Sequence, residues 1–214
     1  MISPVIVLGV ARSGTSMIAK IIRELGVDMG GWHGDAHTEN GWVKEINESI
    51  LKKHNNSRWF ELPEIDMNLI PEEIEQILSY IDSKNKVGNN WGFKDLRSVI
   101  TFPVWQKCLN EKFTVVIINR STDSVANNFM YGVNHRLIFN KVKARQLVTA
   151  HKKKVLEIID GLGPEIRVVD FTYRKIIRHP ATEIKRLAEF LDIPVTPAAL
   201  NVVDKTKDHY GKSI

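Results

Sequence analysis

Hydrophobic residues occur along the chain in two alternating patterns, short continuous runs and longer stretches with helical spacing. A continuous apolar run, which is typical of a strand buried on both faces, occupies residues 5–8, and FTVVII at residues 113–118 is the clearest strand pattern in the chain. Residues 91–94 and 166–170 are also predicted to be strands. Helical spacing predicts helices at residues 17–25, 43–54, 72–81, 99–109, 122–131, 140–159, 173–178 and 180–191. Because strands and helices alternate, we expect an α/β fold in which helices cover both faces of a parallel sheet.

The segments that follow the predicted strands carry the residues with the most chemistry. The four strand ends are occupied by Gly9, Lys94-Asp95, Asn119-Arg120 and Asp170-Phe171. Ligands of open parallel sheets bind beyond the carboxyl ends of the strands. We therefore expect a single site along this edge of the sheet.

Residues 9–16, GVARSGTS, follow the first strand and have the glycine spacing of a phosphate-binding loop. Glycines let the backbone come close to a ligand, and the N–H groups that open the next helix point at an anion. Ser16 matches the hydroxyl residue of the P-loop motif, but Thr15 occupies the position of the motif's lysine. Arg12 supplies a cation inside the loop instead. The pattern indicates a P-loop-like sheet with a phosphate site that is not built for a nucleoside triphosphate.

A second departure from the P-loop pattern concerns magnesium. P-loop enzymes that use a nucleoside triphosphate hold Mg²⁺ with a carboxylate at the end of a hydrophobic strand. The strand at residues 113–118 is followed by Asn119-Arg120, with no acid at this position. We therefore expect a terminal phosphate to bind without a metal ion.

Composition narrows the class of protein. The 214 residues, 43% of them hydrophobic, suit one large domain over residues 1–214. The net charge of +5 fits an anionic ligand. The basic residues are scattered along the chain, which argues against nucleic-acid binding. We interpret Lys152-Lys153-Lys154 as a solvated helix face. No apolar run is long enough to predict a membrane span. The single cysteine, Cys108, and an N-terminus without signal-peptide character predict a cytoplasmic protein.

Four blocks of the chain together resemble the sulfotransferase family, whose members transfer a sulfonate group from 3′-phosphoadenosine 5′-phosphosulfate (PAPS). The Arg-Ser-Gly-Thr-Ser loop resembles the family's 5′-phosphosulfate loop, and residues 94–97 resemble the Lys-Asp-Pro-Arg segment of bacterial members, with Leu96 in place of proline. Residues 120–128 resemble the family's 3′-phosphate motif, and residues 173–191 resemble its C-terminal block. The blocks stand in the family's order, and the chain looks like a short bacterial or phage-type member.

This resemblance implies PAPS as the donor and no metal ion. By position in the motifs, the 5′-phosphosulfate would be held by Arg12, Ser13, Gly14, Thr15 and Ser16. The 3′-phosphate would be held by Arg120 and by Asn128, which replaces the serine of the family. An arginine fork suits phosphate, and an asparagine amide can donate to the same oxygens.

The resemblance also implies a general base that removes a proton from the acceptor. Cytosolic-type members use a histidine two residues after the lysine that matches Lys94, but Leu96 stands there. The stretch at residues 37–51 is similar to the one that carries a glutamate base in short bacterial members, and this match makes Glu39 the base, with Lys94 near the transferring sulfonate. Glu45 is the second choice for the base, and His37 is the third.

The residues near Glu39 allow two other interpretations. In an extended segment, His33, Asp35, His37 and Glu39 would share one face, and these are ligand types for zinc or iron. A polar, glycine-flanked loop is a poor support for a rigid metal site, so we predict no metal there. Glu39 could also simply be a carboxylate at a helix start. Arg97 is expected to pair with Asp95 in a structural role.

Two other functions remain open at this stage: a small-molecule kinase that uses ATP and Mg²⁺, and a nucleotide-binding module without catalysis. The absent loop lysine and the absent strand-end acid disfavour the kinase. The acceptor is expected to be a carbohydrate or small molecule that offers a hydroxyl or an amine. Four tryptophans lie in or beside segments that could line its pocket, namely Trp32, Trp42, Trp59 and Trp91, whereas Trp105 is expected in the core.

Overall fold

The computed structural model describes residues 3–30, 39–54, 62–110, 113–131 and 140–203. Its strands are β1 (Val5–Leu8), β2 (Gly92–Lys94), β3 (Thr114–Asn119) and β4 (Arg167–Thr172). They form one parallel sheet in the order β2-β1-β3-β4. The carboxyl ends of the four strands, Leu8, Lys94, Asn119 and Thr172, form what we call the carboxyl edge.

Helices connect the strands, and a 3₁₀ turn at Met67–Leu69 precedes the third helix. The helices of the described residues are α1 (Thr15–Glu24), α2 (Gly41–Lys53), α3 (Pro71–Val87), α4 (Ser98–Leu109), α5 (Thr122–Tyr131), α6 (Lys141–Asp160), α7 (Tyr173–Arg178), α8 (Pro180–Phe190) and α9 (Pro197–Asn201). Pro71 and Pro180 open their helices, where the missing N–H has no helical partner to lose.

The sheet has a hydrophobic core on each face because side chains alternate along its strands. Ile6 and Leu8 of β1 face a core that is shared with α2, α3, α4 and α6. Val5 and Val7 face the opposite core, which is shared with α1, α7, α8 and α9. A buried strand with two apolar faces therefore reads as a continuous run in the sequence.

The chain turns to opposite faces after the two neighbouring strands β1 and β3. Helix α1, which follows β1, packs on the second face, whereas α6, which follows β3 and α5, contributes Val155 and Ile158 to the first. In sheets of this kind, ligands usually bind beyond the carboxyl ends of two neighbouring strands whose connections leave to opposite faces, which here are β1 and β3. A smaller cluster packs Val10 and Ala11 of the loop after β1 against α5 and α6.

The predicted P-loop-like parallel sheet with helices on both faces is confirmed, and several element boundaries are corrected. The third helix continues to Val87, beyond the predicted end near residue 81, and stops at Gly88, whose φ is 77°. The last strand extends to Thr172 because it pairs with β3 as far as Asn119. Helix α9 and the 3₁₀ turn were not predicted, since each is too short to show a periodicity.

Candidate active site

The loop after β1 turns tightly into α1. Ser13 donates its N–H to the carbonyl of Val10 at 3.0 Å, and Gly14 precedes the helix with a φ of 106°. The side chain of Ser13 is buried, and its Oγ has no hydrogen-bond partner among the described residues. A buried hydroxyl without a partner beside a helix N-terminus is a suitable donor to an anion.

The two glycines of this loop are required by close contacts. A Cβ on Gly9 would lie 3.0 Å from Ser13 Oγ and 2.9 Å from the carbonyl oxygen of Ile118 in β3. A Cβ on Gly14 would lie 2.6 Å from the ring of Tyr173, which opens α7. The backbone of the loop is therefore packed against β3 and against the end of β4.

The remaining loop residues predicted for the donor differ in their exposure. Arg12 is exposed at the tip and has a φ of 69°, a left-handed conformation that is uncommon for a residue with a side chain. Thr15 is buried in the first turn of α1, and Ser16 is half-buried beside it. Thr15 thus fills space in the turn, while Arg12 extends towards solvent.

Arg120, at the end of β3, lies against the same aromatic ring that packs on Gly14. Its guanidinium carbon is 4.1 Å from the centre of the Tyr173 ring, a distance that permits a cation–π contact. Eight residues further on, in α5, Asn128 is buried, and its Oδ1 has no hydrogen-bond partner within the described parts of the chain. The structure thus brings the loop after β1 and the β3 end together through Tyr173.

The predicted catalytic pair lies at the end of β2. Lys94 is level with Val7 of β1, two residues before the glycine loop begins. Its ammonium donates to Oε1 of Glu39 at 3.1 Å, and both residues are buried. Asn40 fixes the backbone beside Glu39, since its N–H donates to the Lys94 carbonyl at 3.4 Å and its side chain caps α2 through the N–H of Val43 at 3.2 Å.

A second cation stands on the other side of the Glu39 carboxylate. Arg97 Nη1 lies 3.9 Å from Glu39 Oε2 and donates to Asp95 Oδ2 at 2.9 Å, so the pairing of Arg97 with Asp95 that we expected is present. Arg97 Nη2 also contacts Glu48 on α2. Glu39 therefore has a cation at each of its oxygens.

Asn47 of α2 supports this group from the core. Its Nδ2 donates to Asp95 Oδ1 at 3.1 Å, and its Oδ1 accepts from Thr101 Oγ1 and from Trp105 Nε1, both at 2.8 Å. Burial raises the pKa of Asp95 above its ordinary value, against the opposing effect of the Arg97 guanidinium. Sequence reasoning missed Asn47, because it occupies an ordinary polar position within a helix and belongs to no motif.

Some sequence interpretations are corrected by the packing. Lys152 is not part of a solvated helix face, because it is only partly exposed and its ammonium donates to the carbonyl of Arg120 at 2.6 Å. Leu96 packs against the cluster beneath the loop after β1. Trp91 is buried in the core, as Trp105 is, so it does not line an acceptor pocket.

Other predictions fall outside the described residues. These are His33, Asp35 and His37, and the tryptophans at positions 32 and 59. Within the described ranges, no group of three or more His, Cys, Asp or Glu residues is arranged to hold a metal ion. In the same part of the chain, no helix is both long and apolar enough to cross a membrane.

Comparison with known proteins identifies the family. A family model described as a sulfotransferase domain matches residues 3–210, so the chain belongs to the sulfotransferase domain family. This membership supports sulfonate transfer as the activity. No curated protein sequence matches the chain.

Solved structures share the fold at low sequence identity. A sulfotransferase domain from the curacin biosynthetic pathway is 15% identical with a TM-score of 0.62, over 95% of this chain and 78% of that one. The sulfotransferase domain of the Synechococcus PCC 7002 olefin synthase is 14% identical with a TM-score of 0.60, over 98% of this chain and 82% of that one. A sugar kinase from Janibacter sp. HTCC2649 is also similar, with 14% identity and a TM-score of 0.51 over 93% of this chain and 98% of that one. The fold alone therefore does not choose between sulfonate and phosphate transfer.

Proposed function

We propose that the chain transfers a sulfonate group from PAPS to a hydroxyl or amine of a carbohydrate or small-molecule acceptor, with Glu39 as the general base. The observation that carries this proposal is the buried ion pair between Glu39 and Lys94, whose lysine pairs in the sheet with Val7, two residues before the glycine loop. It offers a carboxylate to accept a proton and a cation to stabilise negative charge, both beside the phosphate loop.

The residues around the loop fit a nucleotide with phosphate at both its 5′ and 3′ positions. Ser13 Oγ is buried without a partner among the described residues, and it lies directly before the N-terminus of α1. Arg120 presents a guanidinium that is held on Tyr173. The 5′-phosphosulfate would be held by Arg12, Ser13, Gly14, Thr15 and Ser16, and the 3′-phosphate by Arg120 and Asn128.

In the transfer, the acceptor oxygen or nitrogen forms the new bond to sulfur while the bond from sulfur to the 5′-phosphate oxygen breaks. The electron pair of that bond stays with the leaving adenosine 3′,5′-bisphosphate. Glu39 takes the proton that the acceptor loses. Lys94 leaves Glu39 Oε1 to stabilise the oxygens on which negative charge builds up, and Arg97 stays beside Glu39 Oε2.

Donor binding is tested by isothermal titration with adenosine 3′,5′-bisphosphate and, in parallel, with ATP–Mg²⁺. We expect the bisphosphate to bind the native protein and Arg120→Ala to weaken it by roughly 10- to 100-fold, the range for losing hydrogen bonds to a charged group. Arg23→Ala is the control, because Arg23 is an exposed residue in the last turn of α1. Binding of ATP–Mg²⁺ without binding of the bisphosphate would refute the proposal and favour the kinase.

The role of Glu39 is tested with PAPS and a panel of hydroxyl and amine acceptors, by measuring the release of adenosine 3′,5′-bisphosphate. On an accepted substrate, Glu39→Gln should lower kcat by about 100-fold or more while bisphosphate binding persists. Glu45→Gln, which changes an exposed glutamate on α2, should be close to native. Equal rates for Glu39→Gln and the native protein would exclude Glu39 as the base, and donor binding without any turnover would favour the non-catalytic module.

A further inference from the structure

Lys152 differs from the two lysines that follow it on α6. Its ammonium reaches the carboxyl edge and donates to the backbone carbonyl of Arg120 at 2.6 Å, a contact between residues 32 positions apart in the chain. Lys153 is 78% exposed, and Lys153 and Lys154 both lie 3.6 Å from Glu157 on the same helix. Lys152 therefore contacts the end of β3, whereas Lys153 and Lys154 each lie near a glutamate of their own helix.

The positive charge of Lys152 is not neutralised by any carboxylate within the described parts of the chain. Burial lowers the pKa of Lys152, and no carboxylate of the described residues opposes this effect. Its ammonium is instead bound to the neutral backbone carbonyl of Arg120, so the contact that Lys152 makes is with the residue proposed to hold the 3′-phosphate.

Two contacts hold Arg120 in place. Its carbonyl is held by the Lys152 ammonium, and its guanidinium lies 4.1 Å from the centre of the Tyr173 ring. Arg120 directly follows β3, and α5 begins two residues later at Thr122, so the Arg120 carbonyl lies in the short turn that sets the direction of its side chain. Without the hydrogen bond from Lys152, the turn at Arg120 would be less restrained, and the Arg120 guanidinium would be less well positioned.

We propose that Lys152 is a positioning residue of the donor site, which fixes Arg120 so that its guanidinium meets the 3′-phosphate of a nucleoside 3′,5′-bisphosphate. This inference rests on the proposed function, and it adds a residue to the site that neither the loop motif nor the strand-end motif includes. Lys152 acts through Arg120 and does not itself contact the phosphate.

The experiment compares Lys152→Met with Lys153→Met, which removes the same charge one position away on the same helix. Each variant is titrated calorimetrically with adenosine 3′,5′-bisphosphate and with adenosine 5′-monophosphate, which lacks the 3′-phosphate. We expect Lys152→Met to weaken the bisphosphate about tenfold and to leave the monophosphate almost unchanged. Lys153→Met should bind both ligands as the native protein does, and Lys152→Arg should restore most of the loss.

A second measurement separates positioning from direct contact. In the Arg120→Ala background, Lys152→Met should cause no further loss of bisphosphate affinity, because the residue through which it acts is gone. Native affinity in Lys152→Met, an equal loss for both nucleotides, or a full additional loss in the Arg120→Ala background would each overturn the inference. If the native protein does not bind the bisphosphate at all, the proposed donor site itself fails, and this inference fails with it.

Discussion

Single residues at the carboxyl edge are constrained more tightly than a simple turn requires. Gly14 combines a positive φ with a contact that excludes a side chain, because the ring of Tyr173 occupies the space where a Cβ would be. The same ring supports Arg120. Gly14 therefore affects the proposed 3′-phosphate residue through one intermediate side chain.

Replacing Gly14 with alanine should reduce both stability and donor binding. The positive φ costs about 1–2 kcal/mol for a residue with a Cβ, and the new methyl group would displace Tyr173 and, through it, Arg120. Gly26→Ala is the matched control, since Gly26 has a φ of 101° and a Cβ added there would meet no atom within 4 Å. Urea unfolding should show a loss in both variants, whereas titration with adenosine 3′,5′-bisphosphate should show weaker binding only for Gly14→Ala. Equal affinities would mean that Tyr173 does not transmit the change.

At the scale of secondary-structure elements, α2 links the catalytic pair to the core. Asn40 caps its first turn next to Glu39, and Asn47, two turns later, joins Asp95 to Thr101 and Trp105 of α4. This network holds the end of β2 against two helices. The position of Glu39 relative to Lys94 therefore depends on how α2 packs, because the two residues come from different elements.

The network predicts that Asn47→Leu is strongly destabilising. Leucine keeps the side-chain volume but leaves the indole N–H of the buried Trp105 without its acceptor. It also removes one hydrogen bond each from Asp95 and Thr101, so the total cost is about 3 kcal/mol. Asn85→Leu is the control, because the exposed Asn85 also accepts from an indole N–H, that of Trp91 at 3.1 Å, and should lose about 1 kcal/mol or less. Chemical denaturation of the native protein and both variants measures these losses in the free energy of unfolding. Similar losses in Asn47→Leu and Asn85→Leu would contradict the role given to Asn47.

In the whole molecule, the proposed site is assembled from segments that are far apart in the sequence. The loop after β1, the end of β2 with the residues before α2, the end of β3 and the start of α7 meet at the carboxyl edge. A ligand that contacts several of them binds the folded chain and not the unfolded one. Binding should therefore stabilise the whole sheet.

We expect adenosine 3′,5′-bisphosphate, at about 100 times its Kd, to add about 2.7 kcal/mol to the free energy of unfolding. For a chain of this length, the increase corresponds to a rise in Tm of roughly 5–10 °C. Arg120→Ala should show a much smaller rise at the same ligand concentration. Scanning calorimetry measures both, and an equal rise in the two proteins would indicate that the ligand binds elsewhere.

Strand and helix positions, and the existence of a phosphate loop, could be predicted because they depend on local patterns. The apolar runs of β1 and β3 and the glycines at positions 9 and 14 are visible within a few residues of sequence. Short elements such as α9 could not be predicted, because they form on a surface that the rest of the fold provides. That residues 1–214 form one domain stays a prediction, as do the roles of the donor residues.

The sequence by itself determined the class of fold and the family, because the alternation of buried strands with amphipathic helices and the order of the motifs are properties of the linear chain. The tertiary structure decided which side chains meet. Glu39 and Lys94 are 55 positions apart, and Lys152 and Arg120 are 32 apart, yet each pair forms a hydrogen bond. No local pattern encodes such pairs, because their contact depends on the order of the strands and on the face where each helix packs.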